Sequence, residues 1–166
     1  MKNFTDYIIE NKYDTEFEAD IKVALDAVKH DKFNLFAANF KKNNNTFPYI
    51  KQEQVSIGYI KNNDKTIALI AYAYPDNLNE YRESHEDDHT NSGHIFDFEI
   101  LEQYRGQKLG DLLINGVINE MKKHNIKGIT LMAINKKVAS YYESKYGFKC
   151  YKGDENVESP MMYKKL

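Results

Sequence analysis

The segment from His85 to His89, HEDDH, matches the H-E-x-x-H pattern of zinc metalloproteases. On a helix, two histidines four residues apart share one face and can bind one metal ion while the glutamate activates a water molecule. His94 could be a third ligand, but it follows His89 by five residues where the extended pattern requires six. Between Asp76 and Gly93 only Leu78 and Tyr81 are large and apolar, so a helix there would have no face to bury. We therefore expect no metal, and zinc hydrolysis through His85 and His89 is a remote alternative.

Two carboxylates alternate with apolar residues in the segment HIFDFEIL, His94 to Leu101. In a strand, this alternation places the apolar side chains on one face and the acids on the other: Phe96, Phe98 and Ile100, then Asp97 and Glu99. Acids seldom lie on a covered strand without a reason, and a carboxylate whose pKa is raised by burial can take a proton from an amine. Glu99 is the candidate base and Asp97 the candidate ligand for a substrate ammonium group. A solvated or salt-bridged face is the alternative.

A turn rich in glycine and basic residues follows this strand. It contains, in order, Arg105, Gly106, Gln107, Lys108, Leu109 and Gly110. The turn leads directly into a helical pattern, so its backbone N–H groups and the positive end of the helix dipole would face the space beyond the strand. Glycine lets the backbone approach a phosphate closely, and the basic side chains add positive charge. We expect an anion-binding site; an ordinary strand-to-helix turn is the alternative.

Helices and strands must position these residues. Upstream, apolar residues at steps of three and four predict a helix over Thr15 to Lys29, with Thr15 and Glu18 as a capping box. A second, short helix is expected over Lys32 to Phe40. Two β-rich runs around a polar turn predict an antiparallel hairpin: Val55 to Ile60 and Thr66 to Tyr74.

Downstream, strands and helices alternate. The patterns predict a strand over His94 to Leu101, a helix over Leu109 to His124, a strand over Gly128 to Ile134, a helix over Lys136 to Tyr146 closed by Gly147, and strands over Phe148 to Lys152 and Met161 to Lys165. Helices are therefore expected to alternate with strands along the chain and to lie on both sides of a sheet. The fold class is α+β, a sandwich of sheet and helices.

The amino-acid composition further limits the kind of protein that this chain can be. At 166 residues, 42% hydrophobic and 29% charged, the chain fits one globular domain over residues 1–166. No apolar run is long enough to cross a bilayer, and the first residues lack the apolar stretch of an export signal. The single Cys150 fits a reducing compartment, so we expect a cytoplasmic protein. A net charge of −2 argues against nucleic-acid partners.

Two segments together resemble the GNAT superfamily of N-acetyltransferases. The segment EQYRGQKLG, Glu102 to Gly110, resembles the family's Arg/Gln-x-x-Gly-x-Gly/Ala loop, with Lys108 in place of the first glycine. The segment NKKVASYYESKYGF, Asn135 to Phe148, resembles a later family motif, and the tail SPMMYKKL resembles the last strand. The resemblance implies a mixed, mainly antiparallel central sheet with helices on both faces. It also implies acetyl-CoA as co-substrate and direct attack of a primary amine on the thioester.

The resemblance also implies roles for individual residues. Backbone groups of Arg105 to Gln107 and of Lys108, Leu109, Gly110 and Asp111 would hold the pyrophosphate, and the Lys108 side chain would add charge. The backbone around Ile100 would align the pantetheine arm, and Asn135 would contact the cofactor. Tyr142 matches the tyrosine that protonates the departing thiolate. Packing is the alternative for Tyr142, because Tyr141 and Tyr146 lie on the same short helix.

The acceptor is the least constrained part of the reaction. The segment Pro75 to Gly93 carries Asp76, Glu80, Glu83, Glu86, Asp87 and Asp88, which would favour a cationic small-molecule or protein amine. A merely solvated segment is the alternative. A non-catalytic acyl-CoA or protein-binding module and an enzyme acting on charged transfer RNA are the other functional classes; an acidic chain disfavours the latter. No membrane partner is expected, and a homodimer remains open.

Overall fold

The computed structural model describes residues 13–19, 21–30, 33, 54–78, 91–154 and 156–166. Except for Phe33, the helix expected over Lys32 to Phe40 lies outside these residues, as does the pattern from His85 to His89. Within the described ranges no helix has both the length and the apolar character needed to cross a membrane.

Seven strands and three α-helices are formed by the described residues. The strands are β1 Asp14–Ala19, β2 Ser56–Asn62, β3 Lys65–Ala73, β4 Ser92–Ile100, β5 Gly128–Met132, β6 Lys149–Cys150 and β7 Met161–Lys165. The α-helices are α1 Ile21–His30, α2 Leu109–Lys123 and α3 Lys136–Tyr146; short 3₁₀ turns cover Pro75–Asn77 and Glu102–Tyr104. The predicted hairpin is formed by β2 and β3, and the predicted elements from β4 to β7 are present with small shifts at their ends.

The strands form one mixed sheet. Their order is β1-β2-β3-β4-β5-β7-β6; β4 and β5 run parallel and the other neighbours antiparallel. One apolar cluster joins the sheet to α2 and α3, and a second, with Ala24 and Ala27 of α1, lies on the other face. This arrangement confirms the α+β sandwich with helices on both faces of a mainly antiparallel sheet.

The prediction of one helix over Thr15 to Lys29 is wrong in its first half. Those residues form the edge strand β1, in which Thr15 lies opposite Ile60 of β2, and the helix begins only at Ile21. Thr15 and Glu18 therefore form no capping box. The reason is a tertiary contact of Phe17 that a local pattern does not reveal.

The Phe17 ring fills a slot between two glycines. A Cβ atom added to Gly58 of β2 would lie 2.6 Å from ring atoms, and one added to Gly116 of α2 would lie 1.8 Å from Cζ. Only residues without a side chain leave room for the ring at both places. This packing ties β1 to the sheet and to α2, and it outweighs the helical spacing of the local sequence.

A β-bulge changes the faces of β4. Ile95 lies opposite Tyr72 of β3 while Asp97 lies opposite Ala71, so Phe96 is the extra residue. Phe98 and Ile100 pack against the cluster under α2, as expected, but Phe96 packs against the cluster on the α1 face. The prediction that Phe96 shares a face with Phe98 and Ile100 is therefore wrong.

Candidate active site

A gap opens between the two parallel strands at the centre of the sheet. β4 and β5 pair only from Ser92 opposite Gly128 to Ile95 opposite Leu131, yet β4 continues to Ile100. Beyond Ile95 the described chain places no strand on this side of β4. The two strands therefore enclose a wedge that is closed near Ile95 and open toward the end of β4.

Backbone groups of β4 face this gap. The N–H group of Leu101 donates to the carbonyl of Ile67 in β3, and the backbone groups of successive residues point to opposite sides of a strand. Those of Phe98 and Ile100 consequently point away from β3, into the gap. Unpaired strand edges are ready partners for an extended ligand. The Ile100 carbonyl also accepts a bond of 3.2 Å from Nε of Arg105.

The turn after β4 is held in an unusual backbone conformation. Lys108, directly before α2, has φ 59° and ψ 17°, in the left-handed region, and Gly106 has φ 79°. A glycine adopts this region without strain, whereas a lysine does so at a cost. Lys108 thus adopts a backbone conformation that a glycine would take without strain. The oxygen Oε1 of Gln107 accepts a bond of 2.6 Å from the hydroxyl of Tyr13, which fixes the turn to the start of β1.

The first turn of α2 offers backbone donors. No described side chain caps this end of the helix, and the N–H group of Asp111 already donates to the Lys108 carbonyl at 3.0 Å. The N–H groups of Leu109 and Gly110 are therefore the donors of this turn that meet no carbonyl among the described residues. A Cβ added to Gly110 would lie 3.6 Å from the Phe98 ring, so these donors lie beside the end of β4.

An acid in this first turn is neutralised by α3. The Asp111 carboxylate lies 2.6 Å from Nζ of Lys145 and accepts a hydrogen bond from the Tyr146 hydroxyl. Burial and the bond to Asp111 raise the pKa of Tyr146, which stays protonated. Burial lowers the pKa of Lys145, but its bonds to Asp111 and Tyr141 outweigh burial and raise it overall. The positive end of α2 therefore remains available to an anion.

Tyr142 is buried in the core under α2 and α3. Its side chain is 7% exposed and its ring lies 5.9 Å from that of Phe148, centroid to centroid. Burial raises the pKa of this phenol well above its ordinary value, so the hydroxyl keeps its proton. No hydrogen-bond partner is found for that hydroxyl in the part of the chain that the structure describes. A buried hydroxyl without a partner costs free energy unless a ligand or water satisfies it.

The two candidate carboxylates lie on the other face of the sheet. Asp97 and Glu99 are opposite Ala71 and Leu69, residues of the cluster on the α1 face. Glu99 is buried and Asp97 is half-buried. The gap between β4 and β5 connects this face with the face that carries α2 and α3. The sheet therefore lies between the predicted cofactor-binding residues and the predicted base. The gap is the opening that connects the two.

Asn135 has a structural task. Its Oδ1 accepts a bond of 2.9 Å from the N–H group of Val138, which caps the N-terminus of α3. Gly147, with φ 72°, ends the same helix as predicted. A contact between Asn135 and a cofactor would therefore involve its Nδ2 or its backbone.

Sequence reasoning missed a cleft along α2. The cleft has a volume of about 780 Å³ and four lysines in its wall: Lys108, Lys122, Lys145 and Lys164. Leu112, Asn115 and Asn119 of α2 also line the cleft. Only Lys108 belongs to the turn predicted to bind an anion; the other three lie on α2, α3 and β7, so no local motif groups the four lysines.

The chain matches the model of the Acetyltransferase (GNAT) family over residues 9–148. It belongs to the GNAT acetyltransferase family. The match includes the turn before α2 and the segment from Asn135 to Phe148, on which the resemblance was based. A search of curated protein sequences found no match.

Solved GNAT structures share the fold at low sequence identity. PaiA N-acetyltransferase of Thermoplasma acidophilum, in complex with coenzyme A, is 14% identical, with a TM-score of 0.59 over 92% of this chain and 99% of that one. A GNAT-family acetyltransferase of Staphylococcus aureus is 18% identical, with a TM-score of 0.57 over 92% and 99%. The IAA acetyltransferase of Bacillus cereus is 12% identical, with a TM-score of 0.57 over 93% and 99%.

Proposed function

We propose that this GNAT protein transfers the acetyl group of acetyl-CoA to a primary amine, by direct attack of the amine on the thioester. Tyr142 is the acid that protonates the departing thiolate, and Glu99 receives the proton that the ammonium group loses. The observation that carries the proposal is the buried Tyr142 hydroxyl, which keeps its proton and has no partner among the described residues.

Acetyl-CoA would lie along the gap and the start of α2. The N–H groups of Leu109 and Gly110 and the helix dipole suit its pyrophosphate, and the lysines of the cleft suit its remaining phosphate. The backbone of Phe98 and Ile100 would bind the amide groups of the pantetheine arm, as an added strand would. The thioester would then lie in the gap, within reach of both faces of the sheet.

The amine would approach from the face that carries the carboxylates. Asp97 and Glu99 attract an ammonium group, and removal of one proton frees the nitrogen lone pair. The nitrogen forms a bond to the acetyl carbon, and the carbon–sulfur bond breaks. The thiolate takes the Tyr142 proton, and the phenolate recovers one from the nitrogen. The sum is ammonium plus acetyl-CoA giving acetamide, CoA thiol and one proton.

A screen for acetyl transfer tests the proposal. Purified protein and acetyl-CoA are mixed with polyamines, aminoglycosides, lysine peptides and peptides with free N-termini, and release of the CoA thiol is followed with and without a strong chelator. We expect release that depends on one class of amine and survives the chelator. Activity lost to the chelator would instead favour the zinc alternative through His85 and His89.

The non-catalytic alternative gives a different result in the same assay. An acyl-CoA-binding module would bind acetyl-CoA in a titration and release no thiol with any amine above the rate of hydrolysis. Binding without transfer over the whole panel would therefore contradict the proposed function. Replacing Glu86, Asp87 and Asp88 together by Asn addresses the acceptor: a cationic substrate would show a higher KM with acetyl-CoA affinity unchanged.

A further inference from the structure

The apolar layer on the α1 face covers only part of the sheet. Its described residues belong to α1, to strands β1 to β4 and to segments near them, and none comes from β5, β6 or β7. The α1 face of β5 therefore lies outside this layer, beyond the gap. Two large apolar side chains at the end of β5 are strongly exposed, Met132 by 59% and Ile134 by 73%. Neighbouring apolar side chains that face solvent beside a binding site are candidates for contact with a ligand.

Both exposed side chains lie on the α1 face. Leu131 and Ala133 are buried in the cluster under α2 and α3, and successive side chains of an extended chain point to opposite faces. Met132 lies opposite Met161 of β7, whose side chain is half-buried, and side chains directly opposite each other share a face. We call Met132, Ile134 and Met161 the apolar shelf.

The apolar shelf and the candidate carboxylates lie on opposite sides of the gap. The pairing of β4 and β5 ends with Ile95 opposite Leu131. Asp97 follows this pair by two residues on β4, and Ile134 follows it by three on β5. At about 3.3 Å per residue, they lie at most about 7 Å and about 10 Å from the closed end of the gap. On the α1 face, one wall of the gap is therefore acidic and the other apolar.

An amine in this gap would meet both walls. Its ammonium group suits the acidic wall, and the carbon atoms next to the nitrogen can cover the apolar shelf. Each methylene group that leaves water in this way should raise kcat/KM about fourfold. A polyamine would instead bring a second ammonium group to the shelf, where loss of its hydration is unfavourable. The flexible side chains of Met132 and Met161 can adapt to substituents of different shape.

We propose that the acceptor is a primary amine with an apolar substituent, and that Met132 and Ile134 select it by contact with that substituent. The inference rests on the proposed function and specifies the class of amine. Two sources supply this chemistry: free alkylamines, and peptides whose N-terminal residue has an apolar side chain. The reaction is the one proposed above, with the alkyl or peptide acetamide, the CoA thiol and one proton as products.

The first experiment compares amines with the wild-type protein. Release of the CoA thiol is measured with ethylamine, butylamine, hexylamine and hexamethylenediamine at saturating acetyl-CoA. We expect kcat/KM to rise about tenfold or more from ethylamine to hexylamine. Hexamethylenediamine has the same chain and a second charge, and its kcat/KM should be about tenfold below that of hexylamine. Two peptides that differ only in an N-terminal leucine or serine form a second arm, and the arm with the higher kcat/KM identifies the source.

The second experiment changes the apolar shelf. Met132→Ser and Ile134→Ser alter exposed side chains, and each should lower kcat/KM for hexylamine about fivefold or more. Ethylamine is the control substrate, because it is too short to cover the shelf, and its kcat/KM should stay within about twofold of wild type. Met132→Leu is the control variant, because it keeps the apolar area and should keep the preference for hexylamine. The Kd for acetyl-CoA should be unchanged in all three.

Each outcome decides one question. A wild-type enzyme with equal kcat/KM for ethylamine and hexylamine, or with a preference for hexamethylenediamine, would overturn the inference and leave the proposed function intact. Serine variants that keep the full preference for hexylamine would overturn the role of Met132 and Ile134. A wild-type protein that releases no thiol with any amine would overturn the proposed function, and this inference with it. The comparison of amines uses the wild-type protein, so it decides the inference even if a variant does not fold.

Discussion

Nζ of Lys145, near the end of α3, lies 2.6 Å from Oδ1 of Asp111, in the first turn of α2. An acid at a helix N-terminus competes with any anion that binds there. The ion pair therefore has two consequences. It joins α3 to α2, and it neutralises the one acidic side chain of that turn, as the proposed binding of a phosphate by the donors of Leu109 and Gly110 requires.

Removing the lysine should weaken acetyl-CoA binding. In Lys145→Gln the Asp111 charge is no longer neutralised, and we expect the Kd for acetyl-CoA to rise about two- to fivefold, the equivalent of 0.5–1 kcal/mol. Isothermal titration at low and high salt measures the effect, which should shrink as salt screens the charge. Lys149→Gln, which removes an exposed lysine of β6, is the control. Equal Kd values for both variants would show that the ion pair does not serve the cofactor.

Two substitutions of Lys108 distinguish the effect of its backbone strain on stability from the effect of its side-chain charge on acetyl-CoA binding. Lys108→Gly relieves the left-handed strain, so its free energy of unfolding should rise by about 1 kcal/mol relative to Lys108→Ala, which keeps the strain. Both variants lose the charge equally. Chemical denaturation measures the difference in stability between the two variants. The loss of acetyl-CoA affinity that both variants show relative to wild type measures the contribution of the lysine side chain. Affinity unchanged in Lys108→Ala would remove the Lys108 side chain from the binding site.

Most elements of the C-terminal half could be predicted from the sequence, because they have a strong hydrophobic periodicity and clear capping or turn residues at their ends. α3 begins and ends where the Asn135 cap and Gly147 indicate. Upstream, Phe17 and Ile21 have helical spacing, yet Phe17 belongs to a strand. A tertiary contact with glycines distant in the sequence decides that conformation, and a local pattern contains no information about it.

The two glycines of α2 should respond differently to alanine. In Gly116→Ala the new methyl group meets the Phe17 ring, and we expect a loss of about 1–3 kcal/mol in the free energy of unfolding. In Gly110→Ala the methyl group has ordinary contacts at 3.6–3.9 Å, so we expect no loss, or a gain of up to about 1 kcal/mol from helix propensity. Urea unfolding of both variants measures this. Equal stabilities would contradict the packing of Phe17 against α2.

Glu18 should make stability depend on pH. Its Oε1 accepts bonds from the hydroxyl of Tyr74 at 2.6 Å and from Nε2 of His124 at 2.9 Å. The Tyr74 bond, and then His124, hold the Glu18 pKa below its ordinary value near 4.5. The ionised form is favoured by folding, so the contribution is complete above pH 4.5 and is lost as pH falls through the lower, folded-state pKa.

The variant Glu18→Gln tests this dependence. At pH 7 we expect it to unfold more easily by at most about 1 kcal/mol, because the site is half exposed and solvent screens it. The difference from wild type should close in acid. Glu102→Gln, at an exposed acid, is the control that should show no such difference. A difference that stays constant from pH 7 to acid would mean that the bonds of Glu18 do not depend on its charge.

The site was only partly predictable. The turn from Arg105 to Gly110 and the carboxylates of β4 follow from residue types and spacing. The gap cannot be predicted in this way, because it depends on where the pairing of β4 and β5 stops. The bulge at Phe96 cannot either, because it depends on the register of β4 with β3.

The turnover number of Tyr142→Phe tests the central claim most directly. At saturating acetyl-CoA and amine, we expect kcat for thiol release to fall about 100-fold or more with acetyl-CoA affinity unchanged, because the variant lacks the proton that the thiolate needs. Tyr141→Phe, on the same helix but exposed, should keep kcat near that of wild type. A Tyr142→Phe enzyme with kcat within twofold of wild type would contradict the account.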